Sequence, residues 1–115
     1  PEDVFAVFTA KGKYTRTEDG IACIQMAFGD GGMKFNVPIG ELLEEFAGTM
    51  LEIDVANEKR WKGELRVNHV MDVVVGETEI SPILKKTSLQ EGKIVKINFL
   101  RYPQKEKPLL SIRSA

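Results

Sequence analysis

Apolar residues recur at every second position over most of this chain, and that period marks strands. Val4 to Thr17 predicts a long first strand, with Phe5, Val7, Phe8 and Tyr14 as strand formers. The apolar run Phe5-Ala6-Val7-Phe8 predicts burial on both faces at its start. Gly12 marks a place where the strand can bend or bulge. Asp19-Gly20 predicts a tight hairpin turn. In Ile21 to Phe28 the residues Ala22, Ile24, Met26 and Phe28 share one face, with Gln25 on the other. Asp30-Gly31-Gly32 is the next turn signal. Met33, Phe35, Val37 and Ile39 then face inward on a third strand, with Lys34 and Asn36 outward. Three strands joined by two hairpins make a meander.

The period then changes. Ile39, Leu42, Leu43 and Phe46 have helical spacing and predict a short helix over Gly40 to Ala47, ended by Gly48. Glu41, Glu44 and Glu45 take its solvent side. Alternation resumes in Thr49 to Ala56, a fourth strand with Leu51, Ile53 and Val55 inward and Glu52 and Asp54 outward. Asn57 to Gly63 reads as a polar turn. Glu64 to Val75 reads as one fifth strand, with Leu65, Val67, His69, Met71, Val73 and Val75 on a single face. After the connector Gly76 to Ser81, the Ser81-Pro82 pair signals a helical turn over Pro82 to Leu89. Lys93 to Tyr102 and Leu109 to Arg113 are the last two strands, joined by the loop Pro103 to Pro108.

Meander, helix, then two strands is the element order of an OB-like barrel. The expected fold is therefore mainly β (β-rich α+β): a small OB-like β-barrel with one short helix between strands 3 and 4 and an extra C-terminal β-hairpin. Residues 1–115 are expected as a single domain. Residues 1–76 form the five-stranded barrel, and 77–115 form a connector and a basic hairpin packed on it. A half-open barrel or a β-sandwich is the alternative. A chain of 115 residues buries enough surface to sustain one core without staples.

Charge changes this picture more than composition does. The formal net charge is −1, but its layout is uneven. Residues 1–80 hold 8 Lys and Arg against 15 Asp and Glu, and residues 81–115 hold 8 against 2. Such asymmetry points to an anionic partner or to a basic end packed beside an acidic body. The lone cysteine, Cys23, can form no internal disulfide. The chain opens on the acidic Pro1-Glu2-Asp3, where a secretory signal would be basic. No apolar run approaches the length of a membrane span. These features lead to the expectation of a cytoplasmic protein with no membrane partner.

Catalytic chemistry finds no constellation, so the expectation is no enzyme, no cofactor and no metal. His69 is the only histidine and falls on an apolar strand face, and Cys23 lies on another strand. Nothing in the sequence brings them together with a third orienting group. Gly29-Asp30-Gly31-Gly32 lacks the Lys and Ser/Thr of a phosphate loop and lies between strands.

Binding finds more support. Proteins that hold single-stranded nucleic acid combine a positive groove with aromatic rings on which bases stack. Three clusters mix these ingredients: Lys11, Lys13, Tyr14 and Arg16; Lys59, Arg60, Trp61 and Lys62; and Arg101, Tyr102, Lys105 and Lys107. Lys34 adds an outward cation on the third strand. In an OB-like barrel the loops between strands one and two and between strands four and five flank the binding face, and the first two clusters adjoin those loops. The expectation is a non-catalytic binder of single-stranded DNA or RNA. The alternative is a protein–protein module or homo-oligomer that uses the terminal hairpin. Each cluster also has a plainer reading: Tyr14 and Trp61 as lids on the core, and the lysines as solvated charge or protection of sheet edges.

Overall fold

The alternating segments become nine strands of one curled sheet in the computed structural model, which describes residues 3–115. Pro1 and Glu2 of the acidic opening lie outside the described residues. The strands are β1 (Phe5–Arg16), β2 (Ala22–Phe28), β3 (Met33–Pro38), β4 (Met50–Val55), β5 (Lys59–Val67), β6 (Val73–Val75), β7 (Thr78–Glu79), β8 (Ile94–Arg101) and β9 (Leu109–Ser114). Their order in the sheet is β3-β2-β1-β8-β9-β4-β5-β6-β7. Every pairing is antiparallel except β4 with β9. The protein is thus mainly β, an open half-barrel whose terminal strands β3 and β7 do not pair with each other.

The inner face holds the core. Ala10 and Tyr14 of β1, Ile24 of β2, Ile53 and Val55 of β4, Val95, Ile97 and Phe99 of β8, and Leu110 and Ile112 of β9 are all buried. Fully burying one such aliphatic side chain stabilises the fold by roughly 1.5–3 kcal/mol. The meander, the fourth strand and the terminal hairpin form as their periods predict. The hairpin β8–β9 does not sit outside the barrel, however. It inserts between β1 and β4, so those two strands are joined only through it.

Two short helices complete the fold. Helix α1 (Ile39–Leu43) continues into a 3-10 turn over Glu44–Phe46. It packs against β2, β3, β5 and β6, and so fills the seam that the sheet leaves open. Gly40 permits this, because a Cβ there would collide with the Met71 carbonyl and lie 2.9 Å from Val67 Cγ1. Helix α2 (Ile80–Lys85) begins two residues before the expected proline start. Ser81 is not its cap. Its hydroxyl donates to Asp72 Oδ1 at 2.8 Å and accepts the Ala22 N–H at 2.9 Å, which ties α2 to β2.

Three local expectations change. The polar turn shrinks from Asn57–Gly63 to the pair Ala56-Asn57, with φ of 58° and 57°. The Glu58 N–H to Val55 carbonyl bond closes it at 2.9 Å, and β5 starts at Lys59. The expected fifth strand breaks after Val67, because the Asn68 side chain accepts the N–H groups of Val70 and Asp72 and turns the chain. His69 is consequently exposed in that turn and not on the apolar face. At the start of β1, Phe5 and Val7 are 59% and 49% exposed, against the expected burial on both faces. A bulge between Ala6 and Phe8 offsets the register there. On its other side β1 meets β2 only from Lys13 onward, so among the described residues no strand covers the first half of that edge.

Candidate functional site

The register of the sheet sets one row of cations side by side. On the outer face, Lys11 of β1 lies directly opposite Lys96 of β8, and Lys96 lies directly opposite Arg113 of β9. All three are exposed. Directly opposed residues have Cβ atoms about 4.5–5.5 Å apart, and like charges in that position destabilise a sheet. Among the described residues none of the three forms an ion pair; the ion pairs present join Arg60 to Glu52 and Asp54. Arg113 is held in place by bonds from Nε to Ser111 Oγ at 2.9 Å and from its terminal nitrogen to Asn57 Oδ1 at 3.4 Å. The next row is neutral and hydrogen-bonding: Thr9 donates to Asn98 Oδ1 at 2.8 Å, and Ser111 stands opposite Asn98.

Lys13 extends the row along β1. It pairs with Gln25 of β2, and beyond that pair β1 and β2 separate. Gly12 stands at the crossing, where a Cβ would strike the Gln25 carbonyl and lie 2.6 Å from Ile24 Cγ2. The separation opens a notch of about 190 Å³ with Lys13 and Lys34 on its walls and Ile94, Met26 and Ala27 between them. Lys11, Lys13, Lys34, Lys96 and Arg113 therefore share one convex surface.

The sequence clusters are divided by the same sheet. From the first, Lys11 and Lys13 reach the outer face, whereas Tyr14 is buried in the core with 1% exposure and offers no ring to a ligand. Burial pushes its phenol pKa up, against the opposing pull of Arg16, whose guanidinium lies 5.4 Å from the ring. Arg16 itself is structural: its fork donates to the carbonyls of Gly20 at 2.6 Å and Ser81 at 2.5 Å. In the second cluster Trp61 lies opposite the buried Ile53, and its indole N–H donates to the Val75 carbonyl at 3.0 Å. Arg60 is taken by Asp54 at 3.3 Å, and Lys62 stands opposite Glu52. Lys59 is exposed at the start of β5, apart from the row. In the third cluster Arg101 ends β8 opposite Phe5, and Lys105 lies 4.9 Å over the Tyr102 ring. Lys105 and Lys107 share their depression with Glu52 and Glu106, which makes it mixed in charge.

Lys96 and Arg113 belong to none of the three sequence clusters. Their outward parity is visible in the alternation around Val95 and Ile97 and around Ile112. Their position beside Lys11 comes from long-range pairing, which alternation does not encode.

Two buried titratable groups, Asp72 and Cys23, are committed to the fold. Asp72 is buried, and burial holds its carboxyl above the usual range although Ser81 donates to it through both N–H and O–H. Burial likewise pushes the Cys23 thiol up, away from reactivity. Among the described residues no group of three or more His, Cys, Asp or Glu side chains is arranged to hold a metal ion, and no helix is long and apolar enough to cross a membrane. Compared with protein-family models and with curated proteins, the chain matches none.

Proposed function

We propose that this chain is a non-catalytic binding protein for single-stranded DNA or RNA, which it holds by the phosphate backbone on the convex face of β1, β8 and β9. The observation that carries this reading is the Lys11–Lys96–Arg113 row, three like charges set directly opposite one another with no acidic partner among the described residues. Such a row costs stability in the free protein. A polyanion relieves the repulsion and releases its own counterions.

A flexible strand suits the surface better than a duplex does. Strands β1, β8 and β9 curl around the core, and a stiff duplex, with a persistence length of about 150 bp, touches a convex face over a short arc. A single strand can follow the row and continue to Lys13 and Lys34.

Fluorescence anisotropy of a labelled oligonucleotide at two salt concentrations tests the proposal. The expected result is binding whose affinity falls steeply with salt. No binding at low salt in the micromolar range overturns it.

A further inference from the structure

The hairpin β2–β3 leaves an apolar surface that the core does not use. Beyond the Lys13–Gln25 pair it projects as an arm, with β2 residues Met26 to Phe28 paired only to β3. The pairs Ile24–Val37, Met26–Phe35 and Phe28–Met33 succeed one another along its inner face. In the first, Ile24 is in the core and Val37 is half-buried. At the tip, Phe28, Met33 and Phe35 are 46%, 64% and 45% exposed. The rings of Phe28 and Phe35 lie 5.6 Å apart and tilted. A contiguous exposed apolar patch of this kind marks a contact surface.

We propose that this arm is a base-stacking platform, on which Phe28 and Phe35 receive the bases of the strand whose phosphates Lys13 and Lys34 hold. The proposal rests on the nucleic-acid reading above and adds a second subsite to it. Its support is the notch between β1 and β2. Met26 faces inward with Phe28, whereas Lys13 and Lys34 face outward, yet all three line the same opening. The sheet is therefore open there from its charged face to its aromatic one. A strand crossing the free edge of β2 has cations on one side and rings on the other. Charge favours this anionic occupant over a basic or neutral apolar partner: Lys13 and Lys34 line the notch, and between Ile21 and Pro38 the one acidic residue is Asp30, at the turn. Stacking on phenylalanine is indifferent to base identity, because every base has a π-face.

The test compares an oligothymidylate with an abasic strand of equal length, which carries the same phosphates and no bases. The wild-type chain is expected to prefer the oligothymidylate by roughly 5- to 150-fold, the range that one stacked base contributes. Phe28→Ala combined with Phe35→Ala is expected to erase the preference and leave abasic binding intact. Both rings are exposed, and retained abasic binding together with an unchanged melting profile shows that the variant is folded. Equal wild-type affinity for the two strands overturns the platform and leaves the phosphate reading standing. Failure to bind either strand removes the phosphate reading and the platform with it. A preference that survives in the folded double variant also overturns it. So does a wild-type dimer that the double variant dissociates with no base preference, because the arm would then belong to a second copy of the chain.

Discussion

Two halves of one outer surface treat charge in opposite ways. On β4 and β5, unlike charges face each other: Glu52 opposes Lys62, and Asp54 opposes Arg60. On β1, β8 and β9, like charges do, in the row Lys11–Lys96–Arg113. The two halves adjoin in the same sheet through the β9–β4 pairing. Opposed unlike charges stabilise a strand pair by about 0.2–1 kcal/mol, and opposed like charges act the other way. A sheet that pairs its cations in one half has the means to pair them in the other. Leaving the second half unpaired is the arrangement the proposed polyanion-binding surface needs, and the contrast separates charge paired within the sheet from charge left unpaired, without reference to composition.

Reversing charge breaks the contrast most strongly. Lys96→Glu gives β1, β8 and β9 the alternating pattern of β4 and β5, and oligonucleotide binding is expected to be lost at moderate salt. Removing Lys11, Lys96 or Arg113 singly to Ala should each lower the slope of log affinity against log salt by about 0.7, the value per single-strand phosphate contact. Lys62→Glu, in the paired half, should leave affinity and slope unchanged. Equal losses from the two halves in an anisotropy titration would falsify the division of roles.

The paired half is broken through Asp54. Its carboxylate is nearly buried, accepts the Asn57 N–H at 2.9 Å and meets Arg60 at 3.3 Å. Asp54→Ala removes both partners and should cost about 1–3 kcal/mol in a urea unfolding experiment. Asp54→Asn keeps an acceptor for Asn57 and should cost less. Arg60 keeps its second ion-pair partner, Glu52, at 3.8 Å, so oligonucleotide affinity should stay unchanged. A stability loss from Asp54→Asn equal to that from Asp54→Ala would show that the ion pair, not the turn bond, dominates.

The turn between those strands supplies a change that moves stability alone. Ala56 holds a φ of 58°, a left-handed conformation that costs a residue with a Cβ about 1–2 kcal/mol. Ala56→Gly relieves it, and after the extra entropy glycine loses on folding a net gain of about 1 kcal/mol is expected. Binding should not change, because the substitution leaves Asn57, which accepts from Arg113, in place.

Much of this arrangement was legible in the sequence, and the missing parts share a physical cause. Period-two alternation placed the meander, the fourth strand and the terminal hairpin, and it set Lys34 outward. It also contained the answer for Tyr14, which shares parity with the buried Ala10. Trp61 was misplaced for a different reason. The polar composition of Asn57 to Gly63 suggests a long turn, but two residues with positive φ suffice to reverse the chain, which puts Trp61 inside a strand. Lys96 and Arg113 were missed because they join Lys11 only through strand pairings between distant segments. Phe28 and Phe35 do lie on the inner side, as alternation indicates. Alternation cannot tell that β1 and β2 part at Gly12 and leave that side uncovered.

The smallest expected effect discriminates best, because a ligand surface and a stability surface predict opposite signs for it. Lys96 stands between Lys11 and Arg113, so Lys96→Gln removes both like-charge contacts of the row while keeping a polar side chain of similar length. If the row is a cost the free protein bears, this variant should be more stable than the wild type by about 0.2–1 kcal/mol and bind oligonucleotides less well. Lys62→Gln, opposite Glu52, should lose stability by a similar small amount and leave binding untouched. Salt supplies the internal control: at 0.1 M the Debye length is about 10 Å, so added salt should raise the unfolding midpoint of the wild type more than that of Lys96→Gln. A Lys96→Gln variant that is less stable at every salt concentration would place Lys96 among the residues that hold the sheet together and take away the central cation of the proposed interface.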